Sequence, residues 1–149
     1  TQILDKKADP ILICGAGIIP AELIEKHIII NSHPAILPQV RGLDAFKWAI
    51  YEMQPIGVTT HIIDNEPDAG FLIDQKILEV TWGDSFHSLA QKQYEMEIIM
   101  LVEALEKVMN ISHKRINTEG FPIHKRMGQD LEKQLFLKFE EYKQKFATK

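Results

Sequence analysis

The chain has 149 residues, of which 45% are hydrophobic and 26% are charged, and its formal net charge is −4. These values are typical of one folded globular domain and exclude a fibre or a disordered tail. The single cysteine, Cys14, cannot form an intrachain disulfide, which favours a reducing, cytoplasmic location. No apolar stretch approaches the ~18 residues needed to cross a bilayer, and the mild acidity argues against nucleic acid. We therefore expect neither a membrane nor a nucleic acid as a partner.

The first third of the chain alternates between strand and helix patterns. Residues 11–15 form a short apolar run that is typical of a strand buried on both faces. Pro20 precedes residues 21–26, whose composition predicts a short helix. Residues 28–31 predict a second buried strand, which ends at a polar cluster. Strand, helix and strand in this order indicate a parallel crossover unit.

The remaining patterns predict two strands and three helices, which together define the α/β class. Asp44 can cap a helix, and residues 58–63 and 71–80 are β-rich segments joined by an acidic turn. An irregular stretch over residues 110–128 precedes the final helix. The predicted apolar face of the long helix, which begins at Asp84 or Ser85, comprises Tyr94, Ile98, Leu101, Leu105 and Val108. The predicted apolar face of the final helix comprises Leu131, Leu135, Phe139, Tyr142 and Phe146.

The densest polar cluster, Asn31-Ser32-His33, follows the second apolar strand. In open parallel sheets ligands gather at the carboxyl ends of strands, so this position favours a site. Asn31 offers amide N–H donors, and His33 can donate, accept or change protonation near neutral pH. Such a pair can hold a developing oxyanion and move a proton. Spacing alone leaves open the alternative that both side chains only satisfy backbone groups in a turn before Pro34.

Two other polar residues are weaker candidates when taken alone. Asp68 lies in the loop between the β-rich segments, where Gly70 permits close backbone approach and an acid can reach the end of the sheet. Its alternative is a solvated turn acid. His61 lies within a strand, where a lone histidine is more often a hydrogen-bonded core or face residue than a catalyst.

These residues fall within an ordered set of motifs that resembles the folate-dependent formyltransferases. The motifs are Asn31-Ser32-His33-Pro34-Ala35-Ile36-Leu37-Pro38, then Arg41-Gly42, then Gly57-Val58-Thr59-Thr60-His61, then Asp68-Ala69-Gly70 and Gln75. The similarity extends from about Ile11 to about Leu105, with the motifs in the same order and at similar separations. The family includes glycinamide ribonucleotide formyltransferase, the nucleotide-sugar N-formyltransferases and methionyl-tRNA formyltransferase.

The resemblance implies an open, mostly parallel sheet flanked by helices, with a C-terminal helix. It also implies transfer of a formyl group from 10-formyltetrahydrofolate to a primary amine, with Asn31, His33 and Asp68 as catalytic residues and no metal. The loop bearing Asp68 is expected to order only when folate binds. The family's pterin lies against two loops, which implies folate-binding residues here at Ala16, Gly17, Ile18, Asp64 and Glu66.

The family's fold begins with further strand-and-helix units that grip the acceptor, and these are missing here. Because the chain starts at Thr1, we expect a fragment truncated at the N-terminus; the alternative is a natural short relative that needs a partner. Residues 1–109 would then form the C-terminal half of a catalytic domain, and residues 110–149 a connector with an amphipathic helix. We expect poor turnover from this chain in isolation.

The expected acceptor is a small phosphorylated amine. Residues 41–50 are more similar to the nucleotide-sugar enzymes than to the purine enzyme, which favours an amino-sugar nucleotide over glycinamide ribonucleotide. Nothing after Leu105 has the alternating pattern of the β-barrel found in methionyl-tRNA formyltransferases. The basic residues 121–127 either face phosphate or form a solvated connector, and the final helix either packs on its own chain or forms a homodimer.

Two hypotheses from other classes also remain open. A metal-dependent hydrolase would use His33, His61 and Asp68 around iron or zinc. A non-catalytic module would bind folate or a partner chain without turnover.

Overall fold

The computed structural model describes residues 10–109 and 114–148, and every structural statement below concerns these residues. The elements are, in chain order, β1 (Ile11–Cys14), α1 (Ala21–Lys26), β2 (Ile29–His33), β3 (Arg41–Gly42), α2 (Ala45–Tyr51), β4 (Gly57–Ile62), β5 (Phe71–Ile77), β6 (Val80–Thr81), α3 (Phe86–Lys107), β7 (Lys114–Arg115), β8 (Ile123–His124), α4 (Gln129–Phe146) and β9 (Ala147–Thr148). The α/β class, the flanking helices and the C-terminal helix are confirmed.

A five-stranded sheet, in the order β1-β2-β4-β5-β7, forms the centre of the fold. β1 and β2 are parallel, as the crossover pattern predicts, whereas the β2–β4, β4–β5 and β5–β7 pairs are antiparallel. The expectation of a mostly parallel sheet is therefore wrong for the described strands. The turn over residues 63–70 is too short for a crossover connection, so β5 returns antiparallel to β4.

Helix α3 packs against one face of this sheet, where it contacts β1, β2, β4 and β5. Its N-cap is Ser85, one of the two predicted starts, and the Ser85 side chain accepts from the backbone N–H of Ser88 in a capping box. The predicted apolar face is only partly confirmed. Val108 is buried and Leu101 packs against the core, whereas Tyr94 is 59% exposed and Ile98 is 45% exposed. The side chains that α3 buries are instead Leu89, Gln93, Glu97, Met100 and Ala104.

Helix α4 packs against α2 and against β6, so the C-terminal helix belongs to the same core as the preceding α/β unit. Its predicted face is confirmed, since Leu135, Phe139 and Tyr142 are buried and Leu131 and Phe146 pack around them. Asp44 precedes α2 but its side chain does not cap that helix. The Asp44 carboxylate accepts instead from the backbone N–H of Met127, which joins the start of α2 to the approach to α4. None of the helices within the described residues has the length and hydropathy required to span a membrane.

Candidate active site

Strand β2 places Asn31 and His33 on the same face of the sheet, because alternate residues of a strand point the same way. Their partners on β4 are His61, opposite Asn31, and Thr59, opposite His33. The intervening residue Ser32 points to the other face, where its hydroxyl donates to the backbone carbonyl of Glu97 on α3 at 3.0 Å. Helix α3 therefore packs against the face of β2 opposite to the one that carries Asn31 and His33.

His33 connects β2 to the loop between β4 and β5. It is 3% exposed, and its Nε2 lies 2.9 Å from the carbonyl of Val40. Since a carbonyl only accepts, Nε2 must carry a hydrogen, and Nδ1 is the ring nitrogen that faces Asp68. Nδ1 lies 3.3 Å from Oδ1 of Asp68, so a protonated His33 forms an ion pair with this carboxylate.

Asp68 has a left-handed backbone conformation, with φ of 47°, that turns its side chain back toward the sheet. Its Oδ2 accepts from the backbone N–H of Gly42 at 2.7 Å. Burial raises the pKa of the Asp68 carboxyl, but His33 and the Gly42 N–H outweigh burial and hold this pKa below its ordinary value. Asp68 is therefore a carboxylate at neutral pH, ready to accept a proton or a hydrogen bond.

His61 connects Asn31 to the same loop. The fully buried ring has Nδ1 at 2.6 Å from the carbonyl of Ala69 and Nε2 at 3.1 Å from Nδ2 of Asn31. Burial, reinforced by the nearby His33, lowers the pKa of His61 to about 4, so the ring is neutral near pH 7. With the hydrogen on Nδ1, Nε2 must accept, and this fixes the amide orientation of Asn31. His61 is the hydrogen-bonded face residue that the more conservative interpretation predicts.

Gly70 brings the Asp68 loop close to β4. Its φ is +84°, and a Cβ at this position would collide with the carbonyl of Ile62. The loop therefore lies directly on the strand that carries His61, as the sequence predicts for this glycine. His33, Asp68, His61 and Asn31 consequently form one continuous set of contacts beside the neighbouring inner strands β2 and β4.

The residues predicted to bind folate fall in two different environments. Ala16, Gly17 and Ile18 are exposed in the irregular segment after β1, and Ile18 is 97% exposed. Asp64 pairs with Arg115 at 2.7 Å, and Glu66 pairs with Arg41 at 2.8 Å. These contacts join the Asp64–Gly70 loop to β3 and β7, and the expectation that the loop orders only when folate binds stays a prediction.

Two charged residues near the site were not singled out by sequence reasoning. Arg41 belongs to a recognised motif, but nothing in the pattern reveals that its guanidinium is buried against the Asp68 loop. Glu97 lies behind β2, where burial raises its pKa to about 6 despite a contact with the Cys14 thiol at 3.6 Å. An acid on the sheet-facing side of a helix can only be found once the facing side is known.

The metal hypothesis can be compared with this geometry. Both ring nitrogens of His61, and Nε2 of His33, already have protein partners within 3.1 Å. Within residues 10–109 and 114–148 there is no group of at least three histidine, cysteine or acidic side chains that could hold a metal ion.

Known families and structures are similar to this chain in sequence and in fold. A sequence model of the formyl transferase family matches residues 2–105. The chain belongs to the formyl transferase family.

Individual relatives include methionyl-tRNA formyltransferase of Thermodesulfovibrio yellowstonii, which is 33% identical over 101 residues, covering 66% of this chain and 33% of that protein. Phosphoribosylglycinamide formyltransferase of Bacillus subtilis is 28% identical over 87 residues, covering 58% of this chain and 45% of that protein. The chain thus spans between a third and a half of the length of these relatives.

A similar solved structure is the formyltransferase PseJ from Anoxybacillus kamchatkensis, with 26% identity and a TM-score of 0.70 over 90% of this chain and 72% of that chain. That crystal structure is a complex with UDP-4,6-dideoxy-4-formamido-L-AltNAc and tetrahydrofolate.

Proposed function

We propose that the protein containing this chain transfers a formyl group from 10-formyltetrahydrofolate to a primary amine, and that Asn31, His33 and Asp68 carry the reaction. The observation that carries the proposal is the convergence of an amide, an imidazole and an ionised carboxylate beside the inner strands β2 and β4. Membership of the formyl transferase family supports the same reaction.

The first step is attack of the acceptor nitrogen on the formyl carbon, which forms a C–N bond and places negative charge on the formyl oxygen. One N–H of Asn31 is held by His61, and no protein atom among the described residues accepts from the other. That second N–H is one donor for this oxygen. The Nδ1–H of protonated His33, which otherwise pairs with Asp68, is the other once it turns from that carboxylate to the formyl oxygen. Removal of one such donor typically costs ~3 kcal/mol of transition-state stabilisation.

The second step needs a proton to leave the attacking amine and another to reach the departing nitrogen of the folate. Asp68 is ionised and lies against His33, so it can take the amine proton directly or through one water. Breaking the bond between the formyl carbon and N10 of the folate releases tetrahydrofolate as this nitrogen takes the proton that Asp68 removed from the amine, which regenerates the carboxylate. The products are a formamide and tetrahydrofolate.

The loops after β1 and between β4 and β5 would hold the folate. Ala16, Gly17 and Ile18 leave accessible backbone beside the β2 strand end, since Cys14 pairs with Ser32 in the sheet. Asp64 and Glu66 belong to the loop that carries Asp68, so a pterin bound along this backbone would lie next to the catalytic carboxylate. The accessible segment and the ordered loop support this arrangement.

We propose an amino-sugar nucleotide as the acceptor. The support is the fold similarity to PseJ, whose complex contains a formamido sugar joined to UDP, over nine tenths of this chain. Glycinamide ribonucleotide remains the second candidate because of the Bacillus subtilis relative. The methionyl-tRNA formyltransferase relatives make the expected absence of a nucleic-acid partner a prediction to be tested.

The test is formyl transfer by the full-length protein with 10-formyltetrahydrofolate, offering amino-sugar nucleotides, glycinamide ribonucleotide and methionyl-tRNA in separate assays. Asn31→Ala, His33→Ala and Asp68→Ala should each lower the turnover by about 10²-fold or more. Lys133→Gln is a control, because this lysine is exposed on α4. Near-normal turnover in any of the three variants would remove that residue from the mechanism, and folate binding without transfer to any acceptor would favour a binding module.

A further inference from the structure

Arg41 has a buried guanidinium that contacts two separate segments of the chain. Its side chain is 4% exposed. Nη2 donates to Oε1 of Glu66 at 2.8 Å and to the carbonyl of Pro67 at 2.6 Å, while Nη1 donates to the carbonyl of Phe121 at 3.0 Å. A buried cation is costly unless its donors are satisfied, and the two Nη atoms have partners whereas Nε has none among the described residues. The Nη contacts fix the loop and the connector relative to β3.

The neighbouring residue, Gly42, holds the catalytic carboxylate itself. Its N–H donates to Asp68 Oδ2 at 2.7 Å. Its φ is +97°, and a Cβ would collide with the backbone of His124, which pairs with Gly42 across β3 and β8. Arg41 and Gly42 together therefore donate hydrogen bonds to three consecutive residues of the loop, namely residues 66–68.

The connector after α3 holds the same loop from the other side. Thr118 donates its hydroxyl to Oε1 of Glu66 at 2.6 Å, which is the oxygen that Arg41 also binds. The backbone N–H of Ile116 donates to the carbonyl of Gly70 at 2.8 Å. Glu66 thus bonds both Arg41 of β3 and Thr118 of the connector. Arg41 joins β3, the loop and the connector, because it also donates to the carbonyl of Phe121.

We propose that Arg41 is a positioning residue, whose forked guanidinium holds the Asp64–Gly70 loop so that Asp68 stays against His33. The inference rests on the proposed formyl transfer, because it assigns Arg41 a part in placing that catalytic carboxylate. Among the described residues, the Arg41 side chain forms hydrogen bonds with Glu66, Pro67 and Phe121 rather than with His33 or Asp68, so it acts through the loop. A lysine would keep the charge but present one ammonium, which cannot reach Glu66, Pro67 and Phe121 in the same geometry.

The kinetic test is a double-mutant cycle between Arg41→Lys and Asp68→Asn in the full-length protein. Arg41→Lys should lower kcat by about 10- to 100-fold, because small displacements of a reacting group cost this much. In the Asp68→Asn background the same change should cost less than about threefold, since no carboxylate remains to be positioned. Equal losses in both backgrounds would overturn the proposal, because a merely structural role lowers both activities alike.

A second measurement does not depend on turnover. Amide hydrogen exchange at Gly42 and Ile116, which donate to Asp68 and Gly70, should be about tenfold faster or more in Arg41→Lys. Amides inside α3 should be unchanged, and Lys133→Gln should match the unmodified protein at every amide. Unchanged exchange at Gly42 and Ile116 would overturn the proposal. Faster exchange in a protein without formyl transfer would instead refute only the proposed function.

Discussion

Backbone carbonyls decide the chemistry of the two histidines in the site. Val40 accepts from Nε2 of His33, and Ala69 accepts from Nδ1 of His61, so opposite ring nitrogens carry the fixed hydrogen. His33 consequently presents Nδ1 to Asp68, whereas His61 presents a lone pair to Asn31. Two residues of the same type thereby have different partners, an acidic side chain for His33 and an amide for His61.

The buried, neutral state of His61 predicts a pH-dependent stability. Its pKa falls from 6.5 in the unfolded chain to about 4 in the folded chain. Stability from this group is fully present above pH 6.5 and is lost as the pH falls toward 4, because the unfolded chain takes up the proton first. The loss should reach ~3 kcal/mol, measured as the free energy of unfolding in urea at several pH values.

His61→Gln should abolish this part of the pH dependence, and the matched variant His87→Gln should keep it, because His87 is exposed on α3. His33, Asp68 and Asp64 also act on His61, so each pH curve is compared with that of the unmodified protein. If His61→Gln retained the full loss between pH 6.5 and 4, the buried neutral imidazole would not be its source.

At the scale of elements, the Asp64–Gly70 loop is placed by a close approach to β4. Gly70→Ala should destabilise the protein because the added methyl group meets the carbonyl of Ile62, and it should lower activity by displacing Asp68. The matched control is Gly120→Ala, which has a similar positive φ of +81° but nothing within 4 Å of the added atom. Denaturant unfolding of both variants separates backbone strain from the collision.

We expect a cost of ~1–2 kcal/mol for Gly120→Ala from the left-handed conformation alone. Gly70→Ala should cost at least about twice as much. Equal costs would mean that the loop can move away from β4 without consequence, and would contradict the tight contact between Gly70 and Ile62.

The hydrophobic pattern predicts the buried face of α4 correctly but predicts that of α3 only in part. In α4 the apolar residues lie on one side, and Leu135, Phe139 and Tyr142 are buried as predicted. In α3 apolar residues occur on two sides, and the sheet takes the side with Gln93 and Glu97. Gln93 donates to the carbonyl of Gly57, and Ser32 donates to the backbone carbonyl of Glu97, so hydrogen bonds accommodate two polar residues on a face that also buries apolar side chains.

At the scale of the whole molecule, the C-terminal helix and the α/β unit share a core. The Tyr142 hydroxyl donates to the carbonyl of Gln54 at 2.8 Å and accepts from the N–H of Ile56 at 2.9 Å. Burial raises the pKa of Tyr142 to about 12, so the hydroxyl stays protonated. Tyr142→Phe should cost ~1–3 kcal/mol because it leaves the buried N–H of Ile56 without a partner.

The measurement is thermal unfolding, where this cost corresponds to a Tm about 2–4 °C lower for each kcal/mol. Tyr94→Phe is the matched control, because this tyrosine is 59% exposed on α3 and should leave the Tm unchanged. Fluorescence of Trp48 on α2 should follow the same transition as the helical circular dichroism. A Tm for Tyr142→Phe equal to that of Tyr94→Phe would show that α4 does not depend on this anchor.

Local periodicity and short motifs are enough to predict the α/β class, the parallel β1–β2 unit, the two β-rich segments and the family. They also predict Asn31, His33 and Asp68 as one group. The antiparallel majority of the sheet, the buried side of α3 and the burial of Arg41 became visible in the folded chain alone. Those features depend on which segments meet across long separations along the chain, where hydrogen bonds and excluded volume, rather than local pattern, select the arrangement.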